Sequence, residues 1–180
     1  MSFPRSCDFL RGMSLHLAYE IWMFSSLSQD LIDHEAVVKV EELIGTGSVE
    51  DVLSIARFES FLLHSRVLLE FLFPRRRKET DIVASYYASE WPPSGIAEVE
   101  ELNKIRDEIN RRLAHLTERR YESRKRWNVE VSWITEVLNT LLGKFFELVP
   151  DHLLGKECLT QKKAYVPYSS PSHRASDVDR

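Results

Sequence analysis

The sequence predicts an all-α fold, an antiparallel bundle of four to five main helices, and three observations predict it. Apolar residues recur at three- and four-residue steps over long stretches of the chain. Only seven prolines and six glycines occur in 180 residues, and where they fall they divide those stretches. No run of strand length alternates cleanly between apolar and polar residues, and no internal repeat is evident.

The first helix is expected from Ser14 to about Ile32, where Leu15, Leu17, Ala18, Ile21, Trp22, Met23 and Leu27 form a broad apolar face. Residues 34–44 repeat apolar side chains at Val37, Val38, Val40, Leu43 and Ile44, and Gly45-Thr46-Gly47 supplies a stop and a turn. Ser48 then has the chemistry of an N-cap, with Asp51 three residues on. The helix it opens runs through Val52, Ile55, Phe58, Phe61, Leu62, Leu68, Leu69 and Leu72 until Pro74 ends it. At roughly 25 residues it spans about 37 Å and is the spine of the bundle.

Arg75-Arg76-Arg77-Lys78 follows as an exposed basic corner, and residues 81–88 read as a short helix. Trp91-Pro92-Pro93-Ser94-Gly95 is a loop, because proline cannot sit inside a helix. Residues 96–120 return to a helical period with Val99, Leu102, Ile105, Ile109, Leu113 and Leu116. The last long helix covers about 124–149, with Ile134, Val137, Leu138, Leu141, Leu142, Phe145 and Val149 in step until Pro150. The organisation expected is an N-terminal extension (1–13), a helical bundle domain (14–150) and a flexible, disordered polar C-terminal tail (151–180) containing Pro167 and Pro171.

Composition narrows the function classes. A hydrophobic content of 43% is too high for a disordered chain. A net charge of -4 and a pI near 5.9 mean that any nucleic-acid binding must come from a local basic patch. The two cysteines, Cys7 and Cys158, fall in segments read as poorly ordered, so neither a disulfide framework nor a metal knuckle is expected; this fits a reducing cytoplasm. No stretch approaches the roughly 18 apolar residues of a membrane span, and no secretory signal is read at the N-terminus.

Two candidate sites stand out. Around His115, Arg111 lies four residues before the imidazole, Arg112 three before and Arg119 four beyond, so on a helix all can share its face. A histidine with a pKa near neutrality and a fixed guanidinium are what metal-independent RNA cleavage requires, one to move the proton and one to hold charge on the phosphorane. The plainer reading is a histidine hydrogen-bonded to a neighbouring helix beside solvated arginines. Arg119 and Arg120 also belong to a basic run through Arg126 with Tyr121 and Trp127 interleaved, a chemistry suited to phosphate and base contact. The second candidate is Arg66, which with His64 interrupts the apolar spine. A buried Arg66 requires an acid from Glu70, Glu59 or the 98–108 segment, and the alternative is a phosphate-facing arginine.

Metal and cofactor sites fail on spacing. There is no Glu-x-x-His pair for a di-iron bundle and no His-x-x-x-His pair for helical zinc. Gly45-Thr46-Gly47 is not followed by Gly-Lys-Ser/Thr, so it is no phosphate loop. Neither metal nor cofactor is expected.

The segments Phe58-Glu59-Ser60-Phe61-Leu62-Leu63-His64-Ser65-Arg66-Val67-Leu68-Leu69-Glu70-Phe71-Leu72, Asp81-Ile82-Val83-Ala84-Ser85 and Ile109-Asn110-Arg111-Arg112-Leu113-Ala114-His115-Leu116-Thr117 resemble a family of mainly bacterial helical proteins. That family in turn is similar to the HEPN superfamily of small helical bundles found in toxins, antiphage systems and RNA-processing enzymes. The resemblance covers residues 48–149. It implies a homodimer in which two copies of an arginine–polar–histidine motif, with four to six residues before the histidine, build one RNA-cleaving site. Here positions 108 to 110 are Glu108, Ile109 and Asn110; Arg111 stands nearer to His115 than the pattern asks, and Arg106 farther. His115 and the polar Asn110 carry over. The function expected is therefore a HEPN-like helical interaction and dimerisation module with a degenerate motif, placed in a defence or stress system. The alternative is a metal-independent endoribonuclease using His115 with Arg111 or Arg112.

Overall fold

The chain is described by a computed structural model covering residues 5–33, 48–93, 99–113 and 131–164. Among these residues it is all-helical, with five α-helices: α1 (Cys7–Asp33), α2 (Val49–Leu72), α3 (Val99–Leu113), α4 (Val131–Leu148) and α5 (Lys156–Ala164). Short 3₁₀ turns cover Ala84–Tyr86 and Asp151–Leu153.

The periodic apolar stripes become the core. α1 buries Leu10, Leu17, Ile21, Phe24 and Leu31 in one core with α2, which contributes Phe58, Phe61, Leu62, Leu68, Leu69 and Leu72. The Phe24 and Phe61 rings stack at 5.7 Å. Polar links between Glu20 and His64 and between Asp30 and Arg57 show the two helices running antiparallel. α4 is the third layer, burying Ile134, Leu138, Leu141, Leu142 and Phe145. Phe145 sits at the centre of an aromatic cluster, edge-on to Phe71, Tyr87 and Trp91 at 5.2, 6.3 and 5.7 Å. Edge-to-face contact of this kind adds to the energy of burial itself.

Several boundaries differ from the expectation for identifiable reasons. α1 opens at Cys7, so most of the supposed N-terminal extension is helix; Leu10 is buried and its carbonyl accepts a 2.9 Å hydrogen bond from the Tyr87 hydroxyl. The region 81–88 is one 3₁₀ turn, held by Tyr87 N–H donating to Ala84 O. The expected helix at 34–44 and the stretches 114–120 and 124–130 lie outside the described residues, as does 165–180 of the expected tail.

The start of that tail is packed, which corrects the expectation of a flexible 151–180. Leu154 and Cys158 are buried, and α5 lies against α1. Ser14 on α1 accepts a 2.7 Å hydrogen bond from Gly155 N–H while donating to Arg11 O. The approach is so close that a Cβ at Gly155 would stand 3.1 Å from both Arg11 O and Ser14 Oγ. Lys162 then reaches back to Val149 O and Asp151, each at 2.7 Å. Burial pushes the Cys158 thiol up to about 12, making it a small apolar core residue with no reactive character. Cys7 is exposed.

Candidate functional site

Of the residues singled out in the sequence, His115, Arg119 and Arg120 lie outside the described residues. Arg111 and Arg112 close α3, but their side chains lie outside them too. Arg66 is described, and it is not the buried ion pair the sequence suggested. It is half-buried on α2, and among the described side chains none of Glu59, Glu70 or Asp107 pairs with it.

The buried arginine is Arg106, with 2% of its side chain exposed. It projects from α3 onto the closed end of α2, where Leu69 O already accepts from Phe73 N–H at 2.8 Å and takes the guanidinium as a second donor. Its Nη2 donates to Leu69 O at 3.0 Å and to Phe73 O, and its Nε lies 3.0 Å from Glu70 Oε1. Trp91 caps the same end by donating from Nε1 to Leu72 O at 2.7 Å. Desolvation lowers the Arg106 pKa, and the neighbouring Glu70 carboxylate opposes that shift. A second pair, Arg75 with Asp107 at 2.7 Å, runs in the opposite sense between the corner after α2 and the exposed side of α3. Together the two pairs clamp α3 onto α2.

A carboxylate–imidazole pair lies between α1 and α2. His64 is buried, with Nδ1 2.7 Å from Glu20 Oε2, and the Tyr19 ring stands edge-on to the imidazole at 5.8 Å. The pair satisfies two polar groups in the helix seam and fixes Tyr19 above it.

Above this seam the surface is apolar. α2 carries apolar residues round its whole circumference, interspersed with polar ones, so its apolar content is not confined to the face that meets the core. Only one side is covered. Val49, Val52, Leu53, Leu63 and Val67 face solvent, with Val49 76% and Leu63 49% exposed. Leu15, Tyr19 and Trp22 extend the same surface along α1, with Trp22 54% exposed and its ring 6.4 Å from that of Tyr19. Scattered exposed apolar residues are ordinary, but contiguous ones of this size mark interaction sites. At the C-terminal end of α2 the surface dips into an open groove of about 930 Å³, floored by Leu17, Leu63 and Val67 and edged by Arg66, Arg76 and Lys78.

Sequence reasoning missed this face because a periodic apolar pattern reads as core whether or not a neighbour covers it. It also missed Arg106, although a signal was present. Leu102, Ile105, Arg106 and Ile109 share one helical face, so the arginine occupies a core position.

Among the described residues no group of three or more histidine, cysteine or acidic side chains could hold a metal ion, and no helix is long and apolar enough to cross a membrane. Comparison with protein-family models, with curated proteins and with solved structures finds no match.

Proposed function

We propose that this protein is a helical interaction module that works by docking a protein surface on the outer face of α1 and α2, with no catalytic role. The observation that carries this reading is the apolar surface that α2 leaves open to solvent along Val49, Val52, Leu53, Leu63 and Val67. Burying exposed apolar surface yields about 25 cal/mol per Å², so a face of this kind favours association. Arg106, the nearest arginine upstream of His115 with a described side chain, is spent on the closed end of α2 and is not available to a site at His115.

A photoreactive side chain placed at Trp22 or Leu63 in the protein's native cells tests the reading. Each is expected to give a discrete crosslinked species, while the same group at Glu147, exposed on α4, gives none. Trp22→Glu and Leu63→Glu are expected to leave the unfolding midpoint within a degree or two, since exposed substitutions change stability by about 0.5 kcal/mol or less. Absence of any adduct at both sites, or collapse of the fold in both variants, refutes the reading. Cleavage of mixed RNA in EDTA that His115→Ala abolishes, with the fold intact, would establish the endoribonuclease instead.

A further inference from the structure

We infer that the groove at the C-terminal end of α2 takes an amphipathic helix of another protein, one that carries acidic side chains beside its apolar stripe. The inference rests on the interaction-face reading above and names the chemistry of the partner.

Charge points to an acidic partner. Three acids line the groove, and each is already engaged: Glu20 with His64 at 2.7 Å, Glu70 with Arg106 at 3.0 Å, and Asp81 with the Lys78 N–H at 2.7 Å. Of the four arginine and lysine side chains in the lining, Arg75 is held by Asp107 at 2.7 Å. The other three, Arg66, Arg76 and Lys78, have no acidic side chain to pair with among the described residues. The carbonyls that end α2 would repel an anion, but Arg106 and Trp91 cover them. Unpaired cations beside an apolar floor therefore leave a surface complementary to carboxylates on an apolar partner.

Shape points to a helix. Small-molecule sites enclose most of their ligand, whereas this groove is open and would leave a small ligand wet. Its floor at Leu63 and Val67 continues along α2 into Leu53, Val52 and Val49, all exposed. The line from Val49 to Val67 extends about 27 Å, so a partner helix of roughly 18 residues covers it. Such a helix lies along the seam of the antiparallel α1 and α2, its apolar residues recurring every three or four positions. A nucleic acid would suit the cations and not the floor. The open part of that floor is aliphatic, and the rings beneath it, Phe71 and Tyr87, are buried and offer no face on which a base could stack.

Selection from a helix library with no charge bias tests the inference. The immobilised full chain is panned against displayed helices of roughly 18 residues, with leucine fixed at three- and four-residue steps and the flanking positions randomised. The recovered helices are expected to be enriched in Asp and Glu over the starting library. Replacing their acids by amides should weaken binding roughly tenfold. The variant Arg66→Glu/Arg76→Glu/Lys78→Glu, checked for unchanged helical signal and unfolding midpoint, is expected to turn the enrichment toward Lys and Arg. Leu63→Glu should weaken the helices recovered by the unmodified chain by a similar factor. The inference is overturned if the unmodified chain recovers no helix, recovers basic ones, or selects the same helices as the charge-reversed variant. Retention of a mixed-sequence RNA oligonucleotide or of phosphatidylserine vesicles in place of any helix, lost on charge reversal, overturns it in favour of that ligand. The photocrosslink at position 63 separates this inference from the reading beneath it. An adduct mapped to a segment other than an acidic amphipathic helix, in a second copy or another protein, overturns the acidic helix and leaves the interaction face standing. No adduct at position 22 or 63 removes both.

Discussion

Replacing Arg106 with methionine tests the part of the fold on which the position of α3 depends. The substitution keeps the aliphatic reach of the side chain and removes its charge and donors. Glu70 then loses its cation, and the carbonyls of Leu69 and Phe73 lose the guanidinium that caps them. Breaking a buried pair by removing one member costs about 3–5 kcal/mol. The Glu70 side chain is 39% exposed, so water takes over part of its solvation and the loss should fall near ~3 kcal/mol, the lower end. Arg75→Met removes the parallel pair with Asp107, whose side chains are 41% and 50% exposed, and should cost only ~0–1 kcal/mol. Equilibrium urea unfolding separates the two: with a slope of ~1–3 kcal/mol/M, Arg106→Met moves the midpoint by about 1–3 M and Arg75→Met by a small fraction of that. Glu70→Gln, which keeps an acceptor near Nε, should fall between them. Equal midpoints for Arg106→Met and Arg75→Met would refute the assignment of Arg106 as the structural clamp.

The remaining predictions concern the chain termini. Gly155→Ala forces a Cβ to within 3.1 Å of Arg11 O and Ser14 Oγ, and thermal unfolding should show a loss of about 1–3 kcal/mol; an unchanged midpoint would mean that α5 does not dock as described. In native protein at pH 8 a maleimide should modify Cys7 and spare Cys158, whose thiol burial pushes up to about 12; rapid labelling of both would contradict the packing of α5. The same shift sets a pH dependence. An unfolded thiol ionises near ~8.5 and the folded one does not, so the folded state binds the extra proton and stability falls as pH rises from ~8.5 toward about 12. Tyr87, raised by burial, acts in the same direction, and Cys158→Ala should flatten the alkaline slope measured by urea unfolding.

What could be read from the sequence depended on how each element is stabilised. α2 and α4 were legible because their apolar period is long and Pro74 and Pro150 close them. α5 was not, because Lys156–Ala164 has few apolar residues and takes its place from the Gly155–Ser14 contact made with the far end of the chain. His64 and Arg66 were both visible as polar breaks in an apolar helix. Their fates diverged because Glu20 on α1 lies across the seam from His64, whereas Arg66 turns to the groove edge. Position along one helix cannot reveal which side a neighbour will cover. For the same reason Val52, read as part of the apolar stripe of the spine, is exposed.

Photocrosslinking from position 63 in native cells bears most directly on the central claim, that the outer face of α1 and α2 docks a protein surface. A photoreactive side chain in place of Leu63 should give a discrete crosslinked species, and the same group in place of Glu147 on α4 should give none. No adduct at position 63, or equal adducts at both positions, would contradict it.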